Sequence, residues 1–463
     1  MTANRKAKVV ILGGGFGGLY TAMHLDHVLD RYPGLEVTLI NRENFFLYTP
    51  MLHEVAASDL DLTNIVSPVR KLLKRVSFFA GEVEAIDLES KKVRVSHGLD
   101  HHEHELDYDH LVIGLGSVTN FYGIPGVEAN ALTMRTLGDA IHLRNRLIAL
   151  LEQADTECCT DIRRPLLTCV VAGGGFAGVE TDAAVNDFIR HAVRFYSNLR
   201  EDVLRVVLVH SHSVILPELG KSLGAYAQRK LAERKVEIRV NAKVTAASGS
   251  GVELSDGTYI PTRTLVWTAG ASSNPLLDHL PCEKDGGRLV VDETLAVKDW
   301  PGIWALGDCA LIPDRRTGNY FAPTAQHALR EGRVLGHNIL ASLEATPAKP
   351  FTFSTIGQLA AIGRRTGVAN ILGLKFSGFL AWWLWRTIYL SKLPRFEKKL
   401  RVALDWTLDL LFSKDFVQFV TFRAPTISSA EEESGPYQPR AATRPVILTG
   451  TWQPVISETV VGP

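Results

Sequence analysis

Two short apolar runs, each followed by closely spaced glycines and then by a helical pattern, dominate the hydrophobic pattern of this 463-residue chain. The first run covers residues 8–12 and leads into a helical segment at 19–29, and the second run covers residues 169–172. Because a strand that is buried on both faces is apolar throughout, each unit predicts a strand, a tight turn and a helix in succession. The chain is therefore predicted to be an α/β protein with two Rossmann-like dinucleotide-binding domains.

The glycines of both units follow the spacing G-x-G-x-x-G, which suits the pyrophosphate of a dinucleotide. The first glycine allows a sharp turn, the second leaves room for the phosphates, and the third lets the helix pack closely on the strand. The free N–H groups at the start of the helix then face the negative charge. We predict that FAD binds the first copy, at Gly13, Gly15 and Gly18, and that NAD binds the second, at Gly173, Gly175 and Gly178.

Each unit continues into a second strand, whose end normally carries an acid for a ribose hydroxyl. In the first unit this position is Asn41, followed by Arg42. Asn41 can still bind a hydroxyl and Arg42 can stack on an adenine or contact phosphate, although the segment also fits an ordinary polar turn. In the second unit the position is His210. We expect NADH as the substrate. The acid that selects NADH is missing at this position, so NADPH is left open.

Two further apolar runs end in glycine, at residues 111–117 and 265–271, and indicate where the chain crosses between the nucleotide domains. Gly270, in the second of these exits, is assigned to the NAD site. A third apolar run at residues 303–306 leads into Gly-Asp. This motif is typical of flavin proteins, and we predict that Asp308 accepts a hydrogen bond from the FAD ribityl chain.

The region between the two units contains possible alternatives to this interpretation, none of which the sequence favours. Residues 76–116 predict short antiparallel strands with a His-rich turn at 97–105, which fits a solvated hairpin better than a metal site. The aromatic loop 45–54 suits either a flavin cover or ordinary core, and it lacks the reactive cysteine pair of disulfide reductases. The vicinal pair Cys158 and Cys159 lies in a polar loop with nothing to activate a thiol.

Three polar side chains are candidates for the chemistry. Glu180 lies just inside the second helix, where the first copy has Tyr20. Its carboxylate either complements the helix dipole or reaches the edge where nicotinamide and flavin meet. Gln326 and Arg330 are four residues apart on a predicted helix, so they share one face, which would look towards the flavin.

The last hundred residues change in character. Residues 374–390 and 400–420 are aromatic, amphipathic stretches flanked by Lys and Arg, which predicts helices that lie on a bilayer surface. Helices that dimerise or cap the core are the alternative. Residues 424–463 predict a flexible tail.

Composition narrows the remaining functions. The formal net charge is zero, so no nucleic acid partner is expected, and the five cysteines show no metal-binding spacing. No apolar leader core precedes the first strand, and an odd number of unpaired cysteines suits a reducing compartment.

In this order, the two glycine motifs and three later segments resemble the type II NADH:quinone oxidoreductases, single-subunit flavoenzymes that do not pump protons. The later segments are Ala-Leu-Gly-Asp at 305–308, Ala-Gln at 325–326 and Phe-Ser-Gly-Phe-Leu-Ala-Trp at 376–382. The resemblance covers about residues 8–423.

The resemblance implies an NAD domain inserted into an FAD domain, and a peripheral position on the cytoplasmic face of the cell membrane. Hydride would pass from NADH to FAD, and two electrons would then reach a membrane quinone. By the same resemblance, Glu180 takes part in proton handling and Gln326 contacts the quinone. The expected segments are an FAD domain at 1–118 and 271–345, an NAD domain at 119–270, a membrane-association region at 346–423 and a tail at 424–463.

Three departures from the family pattern stand out: Arg330 replaces a glutamine, and the ribose acids are missing at Asn41 and His210. They leave open the quinone type and the nicotinamide preference, and a homodimer is also left open. The alternatives are a sulfide:quinone oxidoreductase-like enzyme, which would need paired redox cysteines, and a membrane-bound redox-sensing flavoprotein with little turnover.

Overall fold

The computed structural model describes residues 6–419, so the predicted tail at 424–463 lies outside the described residues. The α-helices of the described part are α1 Phe16–Val28, α2 Leu52–Ala56, α3 Val69–Leu72, α4 Val127–Asn130, α5 Leu137–Thr156, α6 Thr160–Leu166, α7 Phe176–Ala192, α8 Lys221–Glu233, α9 Ala325–Leu343, α10 Phe379–Lys392 and α11 Phe396–Leu411.

The strands in the same part of the chain are β1 Ala7–Leu12, β2 Leu35–Asn41, β3 Phe45–Leu47, β4 Val66–Pro68, β5 Ser77–Ala80, β6 Glu82–Asp87, β7 Lys92–His97, β8 His102–Asp107, β9 His110–Ile113, β10 Ser117–Thr119, β11 Ala131–Thr133, β12 Thr168–Ala172, β13 Arg205–Val209, β14 Val236–Arg239, β15 Val244–Ser248, β16 Gly251–Leu254, β17 Tyr259–Pro261, β18 Thr264–Trp267, β19 Ala271–Ser273, β20 Lys284–Asp285, β21 Arg288–Val290, β22 Ile303–Ala305, β23 Ala310–Leu311, β24 Pro313–Asp314, β25 Asn319–Tyr320, β26 Gly357–Ala361, β27 Gly367–Ile371 and β28 Leu374–Gly378.

Two five-stranded parallel sheets form the centre of the fold. The first has the order β22-β9-β1-β2-β5, and the second has the order β11-β18-β12-β13-β14. In each sheet the strand that precedes the glycines is central, as expected of strands whose residues are almost all apolar. The predicted pair of Rossmann-like domains is confirmed.

The segment between the two glycine loops differs from the prediction of a purely antiparallel region. β5 and β9 join the first parallel sheet: the fully buried β9 lies between β22 and β1, and the partly exposed β5 forms the edge beside β2. The antiparallel part is the meander β6-β7-β8, whose His-rich end is a hairpin with its turn at residues 98–101. The alternation of apolar and polar residues along this meander therefore misled the prediction for its neighbours.

The chain passes between the two sheets through a short antiparallel pair, β10 with β19, in which Ser117 lies opposite Ser273. These strands lie at the ends of the two apolar runs, residues 111–117 and 265–271, where the sequence predicts that the chain crosses between the domains. The predicted domain limits stay a prediction, which this pairing supports.

Helix α9 returns from the second half of the chain to pack against α1. Two glycines allow the close approach: a Cβ at Gly332 would overlap the backbone oxygen of Gly17, and one at Gly336 would lie 2.7 Å from Cδ2 of His24. The residues that follow β22 are thereby held beside the first glycine loop.

The C-terminal region begins with the antiparallel sheet β26-β27-β28 and ends with α10 and α11. The predicted helix at 374–390 is therefore shorter: residues 374–378 form β28, and the helix begins at Phe379. The second helix lies at Phe396–Leu411 rather than at 400–420. Phe376, the one aromatic residue of 374–378, suits a strand as well as a helix, which is why composition alone placed the boundary too early.

The sequence predicted that the tryptophans of these helices face outward, and the structure differs. Trp382, Trp385 and Trp406 are buried, and only Trp383 among these four is exposed. Within residues 6–419 no helix combines the length and the apolar character needed to cross a bilayer.

Candidate active site

The first glycine loop has the shape that a dinucleotide pyrophosphate requires. Gly13 has a φ of +95°, and a Cβ at Gly18 would overlap the backbone oxygen of Gly13. A Cβ at Gly15, by contrast, would meet open space. The loop is therefore closed on the protein side and open at the position where phosphates would approach, so these residues fit FAD.

The second loop repeats this geometry. Gly173 has a φ of +120°, a Cβ at Gly178 would overlap the backbone oxygen of Gly173, and Gly175 faces open space. Thr268, at the end of β18, donates from its hydroxyl to the carbonyl of Ala172 at 2.9 Å and so fixes the outgoing strand beside the loop. The residues of this loop fit the pyrophosphate of NAD in the same way.

The side chains at the ends of the second strands turn back onto the glycine loops. Oδ1 of Asn41 accepts from the N–H of Gly14 at 2.7 Å, and its Nδ2 donates to the carbonyl of Glu43. Nδ1 of His210 accepts from the N–H of Gly174 at 3.2 Å. Both residues therefore support the loop, a role that the sequence did not predict for them.

The other predicted cofactor residues have local partners. Arg42 is exposed, and its guanidinium lies 3.8 Å from Glu43 and 3.9 Å from Glu82. Gly270 has a φ of +91°, and the ring of Tyr122 lies against its α-carbon. Their predicted contacts with FAD and NAD stay predictions.

Asp308 lies beside the first glycine loop, on the turn after β22. Its Oδ2 accepts from the hydroxyl of Ser117 at 2.6 Å, and the N–H of Gly307 donates to Oε2 of Glu331 at 2.8 Å. Burial raises the pKa of Glu331 to about 7. Glu331 is a site residue that the sequence analysis missed, because one carboxyl on an amphipathic helix gives no sign of facing inward.

Glu180 occupies the centre of the candidate site. It lies on α7, is 8% exposed, and its Oε1 accepts from the N–H of Ala361 at 3.0 Å and from the indole of Trp385 at 2.9 Å. Neither partner belongs to the NAD domain: Ala361 ends β26, and Trp385 is on α10. Burial raises the pKa of Glu180 to about 8, despite the two donors.

His53, from α2, faces the same carboxyl, with its Nδ1 3.8 Å from Oε2 of Glu180. Burial lowers the pKa of His53 to about 4. At pH 7 the carboxyl is therefore protonated and the imidazole is neutral, so this contact is not an ion pair. Trp385 lies at 5.5 Å from the His53 ring and closes the site from the other side.

A second buried carboxyl lies close to the first. Glu54 accepts from the indole of Trp406 at 2.8 Å, and burial raises its pKa to about 7. The guanidinium of Arg386 packs over the rings of Trp382 and Trp406, at 4.2 and 4.6 Å from their centroids. Glu54, Trp382 and Arg386 line a cavity of about 70 Å³ that also borders Glu180 and is large enough to hold water.

Gln326 and Arg330 are on one face of α9, as predicted. Arg330 donates to the backbone carbonyl of Gln326 at 2.6 Å, and its guanidinium lies 4.0 Å from the ring centroid of Phe353. Nε2 of Gln326 points to the carbonyl of Gly357 at 3.5 Å, at the start of β26. The pair therefore lies between the FAD domain and the C-terminal sheet.

Two aromatic residues of the loop at 45–54 belong to the core, and whether the loop also covers the flavin stays a prediction. Phe46 and Tyr48 are buried, and the ring of Phe16, from the first glycine loop, contacts both at 5.0 and 5.7 Å. These aromatic residues thus support the first glycine loop, while His53 and Glu54 at the end of the same segment line the candidate site.

Cysteines and clustered histidines are the residues that could carry redox or metal chemistry. All five cysteines are free, and burial raises the pKa of Cys282 to about 11 and of Cys309 to about 12. His97 and His104 stack at 4.9 Å on the exposed hairpin. Across the described residues 6–419 no three side chains of His, Cys, Asp or Glu are arranged to hold a metal ion.

Comparisons with known proteins agree with this architecture. The family model for pyridine nucleotide-disulphide oxidoreductases matches residues 7–332, and the model for the NDH2 C-terminal domain matches residues 356–415. A probable NADH dehydrogenase of Dictyostelium discoideum is 31% identical, over 89% of this chain and 91% of its own length. The type II NADH:quinone oxidoreductase Ndh of Mycobacterium tuberculosis is also 31% identical, over 89% of each chain.

Among solved structures, NDH2 from Plasmodium falciparum in complex with NADH superposes with a TM-score of 0.83 at 20% identity, covering 89% of this chain and all of that one. The likeness extends over both nucleotide domains and the C-terminal region. Together with the family models and the relatives above 30% identity, it leaves one conclusion. The chain belongs to the type II NADH dehydrogenases, within the pyridine nucleotide-disulphide oxidoreductase family.

Proposed function

We propose that this chain oxidises NADH at its second nucleotide fold and reduces a membrane quinone without pumping protons, with Glu180 as the proton-handling group. Bound FAD supplies the ring that accepts the hydride and passes on the electron pair. The observation that carries the assignment of Glu180 is its position: it is a buried carboxyl at the point where α7, β26 and α10 meet.

The protonation state of Glu180 suits this role. Reduction of a quinone to a quinol consumes two protons, and a proton donor works best when its pKa is near the working pH. A pKa of about 8 leaves the carboxyl protonated at pH 7 and able to release its proton at little cost. The adjoining cavity, with Glu54 on its wall, offers water a route to replace that proton.

Gln326 and Arg330 are proposed to contact the quinone. Both lie at the junction of α9 with the C-terminal sheet, and Arg330 is held there by Phe353 and by the backbone of Gln326. A fixed guanidinium attracts negative charge that develops on a quinone oxygen during reduction. An amide at position 330 would offer only a neutral hydrogen bond, so Arg330 is expected to strengthen the quinone contact.

The outer face of α11 is proposed to rest on the bilayer, on the cytoplasmic side. Four apolar residues spaced four apart are exposed by 42–80%: Phe396, Leu400, Leu404 and Leu408. The opposite face carries Val402 and Trp406 and is buried. A helix with two apolar faces needs a second apolar environment, and Lys and Arg beside the stripe suit anionic lipid headgroups.

Vesicle flotation tests the membrane contact and separates it from a homodimer through the same stripe. The double substitution Leu400→Gln and Leu404→Gln should release the protein from anionic vesicles while NADH still bleaches the flavin. Ile162→Gln, an equally exposed aliphatic site on α6, is the matched control and should stay bound. If the double variant stays on vesicles but changes from dimer to monomer, α11 is a subunit interface instead.

Rapid mixing tests the enzymatic assignment. NADH should bleach the flavin, and a soluble quinone should then restore its absorbance. Failure of Glu180→Gln to slow the second step would remove Glu180 from the proposal.

A further inference from the structure

A cavity of about 240 Å³ lies in the second nucleotide fold, at the edge of the sheet opposite the glycine loop. Its wall includes the start of β11 and the residues that lead into β18, whereas the glycine loop follows the other end of β12. A strand advances about 3.3 Å per residue, so strands of four or five residues place the cavity about 15 Å from the loop. The cavity shares no residue with the sites proposed above for FAD, NAD and quinone.

Two arginines line this cavity, and backbone carbonyls hold their guanidiniums in place. Nε and Nη2 of Arg146, on α5, donate to the carbonyl of Arg263 at 3.2 and 2.7 Å. Nη1 of Arg263 donates to the carbonyl of Gly249 at 2.5 Å, in the turn between β15 and β16. Because carbonyls carry no net charge, both side chains are fixed while their positive charges stay uncompensated.

The hydrogen-bonding capacity that remains on these arginines suits an anion. Nε and Nη2 of Arg263 and Nη1 of Arg146 have no partner among residues 6–419. The Nε and Nη2 edge is the one that binds a carboxylate or a phosphate through two parallel hydrogen bonds. No carboxylate of the described chain lies within 4.0 Å of either guanidinium, and Glu128, on the neighbouring helix α4, is not part of the wall.

The rest of the wall is partly apolar. Val252 and Leu265 are buried, and Leu132 is half-buried. An apolar wall beside two fixed charges excludes water from one side and strengthens their attraction for an anion. The volume is below the roughly 300 Å³ at which pockets for drug-sized ligands begin. The cavity therefore suits a small molecule with one anionic group and a short apolar body.

We propose that this cavity is a second ligand site, which binds a small organic anion. Arg146 and Arg263 hold its carboxylate or phosphate group, and its carbon skeleton lies against Leu132, Val252 and Leu265. Carboxylates and phosphate monoesters present the same pair of oxygens to a guanidinium, so the experiment has to separate them. The inference is independent of the roles proposed for Glu180, Gln326 and the glycine loops.

Calorimetric titration of the FAD-loaded protein tests this inference, with NAD⁺ at saturation so that organic phosphates cannot enter the second glycine loop. The probes are inorganic phosphate, propyl phosphate and succinate. Propyl phosphate should bind about tenfold more tightly than inorganic phosphate, because burial of its CH₂ groups is worth about that factor. The tighter of propyl phosphate and succinate identifies the anionic group.

Arg146→Gln combined with Arg263→Gln should weaken binding of the tighter probe by about tenfold or more, since hydrogen bonds to charged groups are lost. Flavin content and bleaching by NADH should stay as in the wild type. Arg263→Lys keeps the charge without the two-bond edge, so it should weaken binding less than the double variant does.

The matched control is Arg31→Gln combined with Arg365→Gln, which removes the same charge from exposed positions outside the cavity. This variant should bind the probe as the wild type does. Equal weakening in the two double variants would mean that only the net charge of the protein matters, and would overturn the inference. Failure of the wild type to bind either organic probe at about 10 mM would overturn it as well.

Discussion

The two nucleotide folds share their backbone and differ in what their helices carry. In both, a backbone N–H of the loop, that of Gly14 or Gly174, donates to a side chain at the end of the second strand. The glycine that follows it faces open space. In the first fold the helix then presents Tyr20, whose ring contacts Phe46 at 6.5 Å. In the second it presents Glu180 to the C-terminal region. The loops proposed to bind the nucleotides thus share their backbone, and the side chain proposed for proton handling is one that the two folds do not share.

The difference follows from what covers each helix. α1 packs against α9 through Gly332, which brings the two backbones close beside Tyr20. α7 instead packs against α2 and β26, and α10 lies beside its first turn, so a carboxyl there meets an N–H and an indole. At position 20 the neighbouring donor is instead the guanidinium of Arg333, 5.5 Å from the centroid of the Tyr20 ring.

The largest effects are expected from alanine at the third glycine of either loop. Gly18→Ala and Gly178→Ala each force a Cβ onto a backbone oxygen, which should cost about 3 kcal/mol of local stability. Gly18→Ala should lose FAD, measured as flavin per protein. Gly178→Ala should keep FAD and lose bleaching by NADH. Loss of flavin in both variants would contradict the independence of the two folds.

The next effect tests the residue in which the folds differ. Glu180→Gln should slow flavin reoxidation by quinone about a hundredfold, because proton transfer by a placed group contributes at least that much. The wild-type rate should also titrate near pH 8, falling as pH rises and the carboxyl loses its proton, and this transition should vanish in the variant. Tyr20→Phe, the matched change in the first fold, should leave the pH profile as it is.

A smaller effect is expected from the indole that binds Glu180. Trp385→Phe removes a hydrogen bond that favours the ionised carboxylate, so the transition in the pH profile should move upward. The loss of one buried hydrogen bond should cost about 1 kcal/mol of stability, measured by denaturant unfolding. Trp383→Phe, on the exposed side of the same helix, is the control. A transition that moves downward would mean that Trp385 acts mainly by burying the carboxyl.

The smallest effects concern the paired loop supports. Asn41→Ala and His210→Ala each remove one side-chain hydrogen bond from a glycine N–H, worth about 1 kcal/mol. Asn41→Ala should weaken FAD retention on dilution, and His210→Ala should weaken binding of ADP-ribose. Equal losses of both ligands in either variant would mean that the loops are coupled.

The sequence predicted the two Rossmann-like folds and the α9 helix because glycine spacing and continuous apolar runs are local signals, but it placed β5 and β9 in an antiparallel region. The buried centre of the site was less accessible to prediction. Glu180 was recognised as a candidate, but its donors Ala361 and Trp385 lie about 180 and 205 residues further along the chain. Trp385 was assigned to an outward membrane face, since composition does not show which side of an amphipathic helix packs inward. Glu54 was missed because its partner Trp406 comes from another domain.

Helix α10 carries Trp383 on its outer side and, two residues later, Trp385 on its inner side against Glu180. An α-helix with its side chains is about 10 Å thick. If the outer side of α10 rests on the bilayer, as the sequence predicts for residues 374–390, only that one layer of protein separates the lipid from the carboxyl. A lipid-soluble acceptor could then meet the proton-handling group while most of its tail stays among the acyl chains. The width of a single helix sets how far below the protein surface the acceptor has to reach.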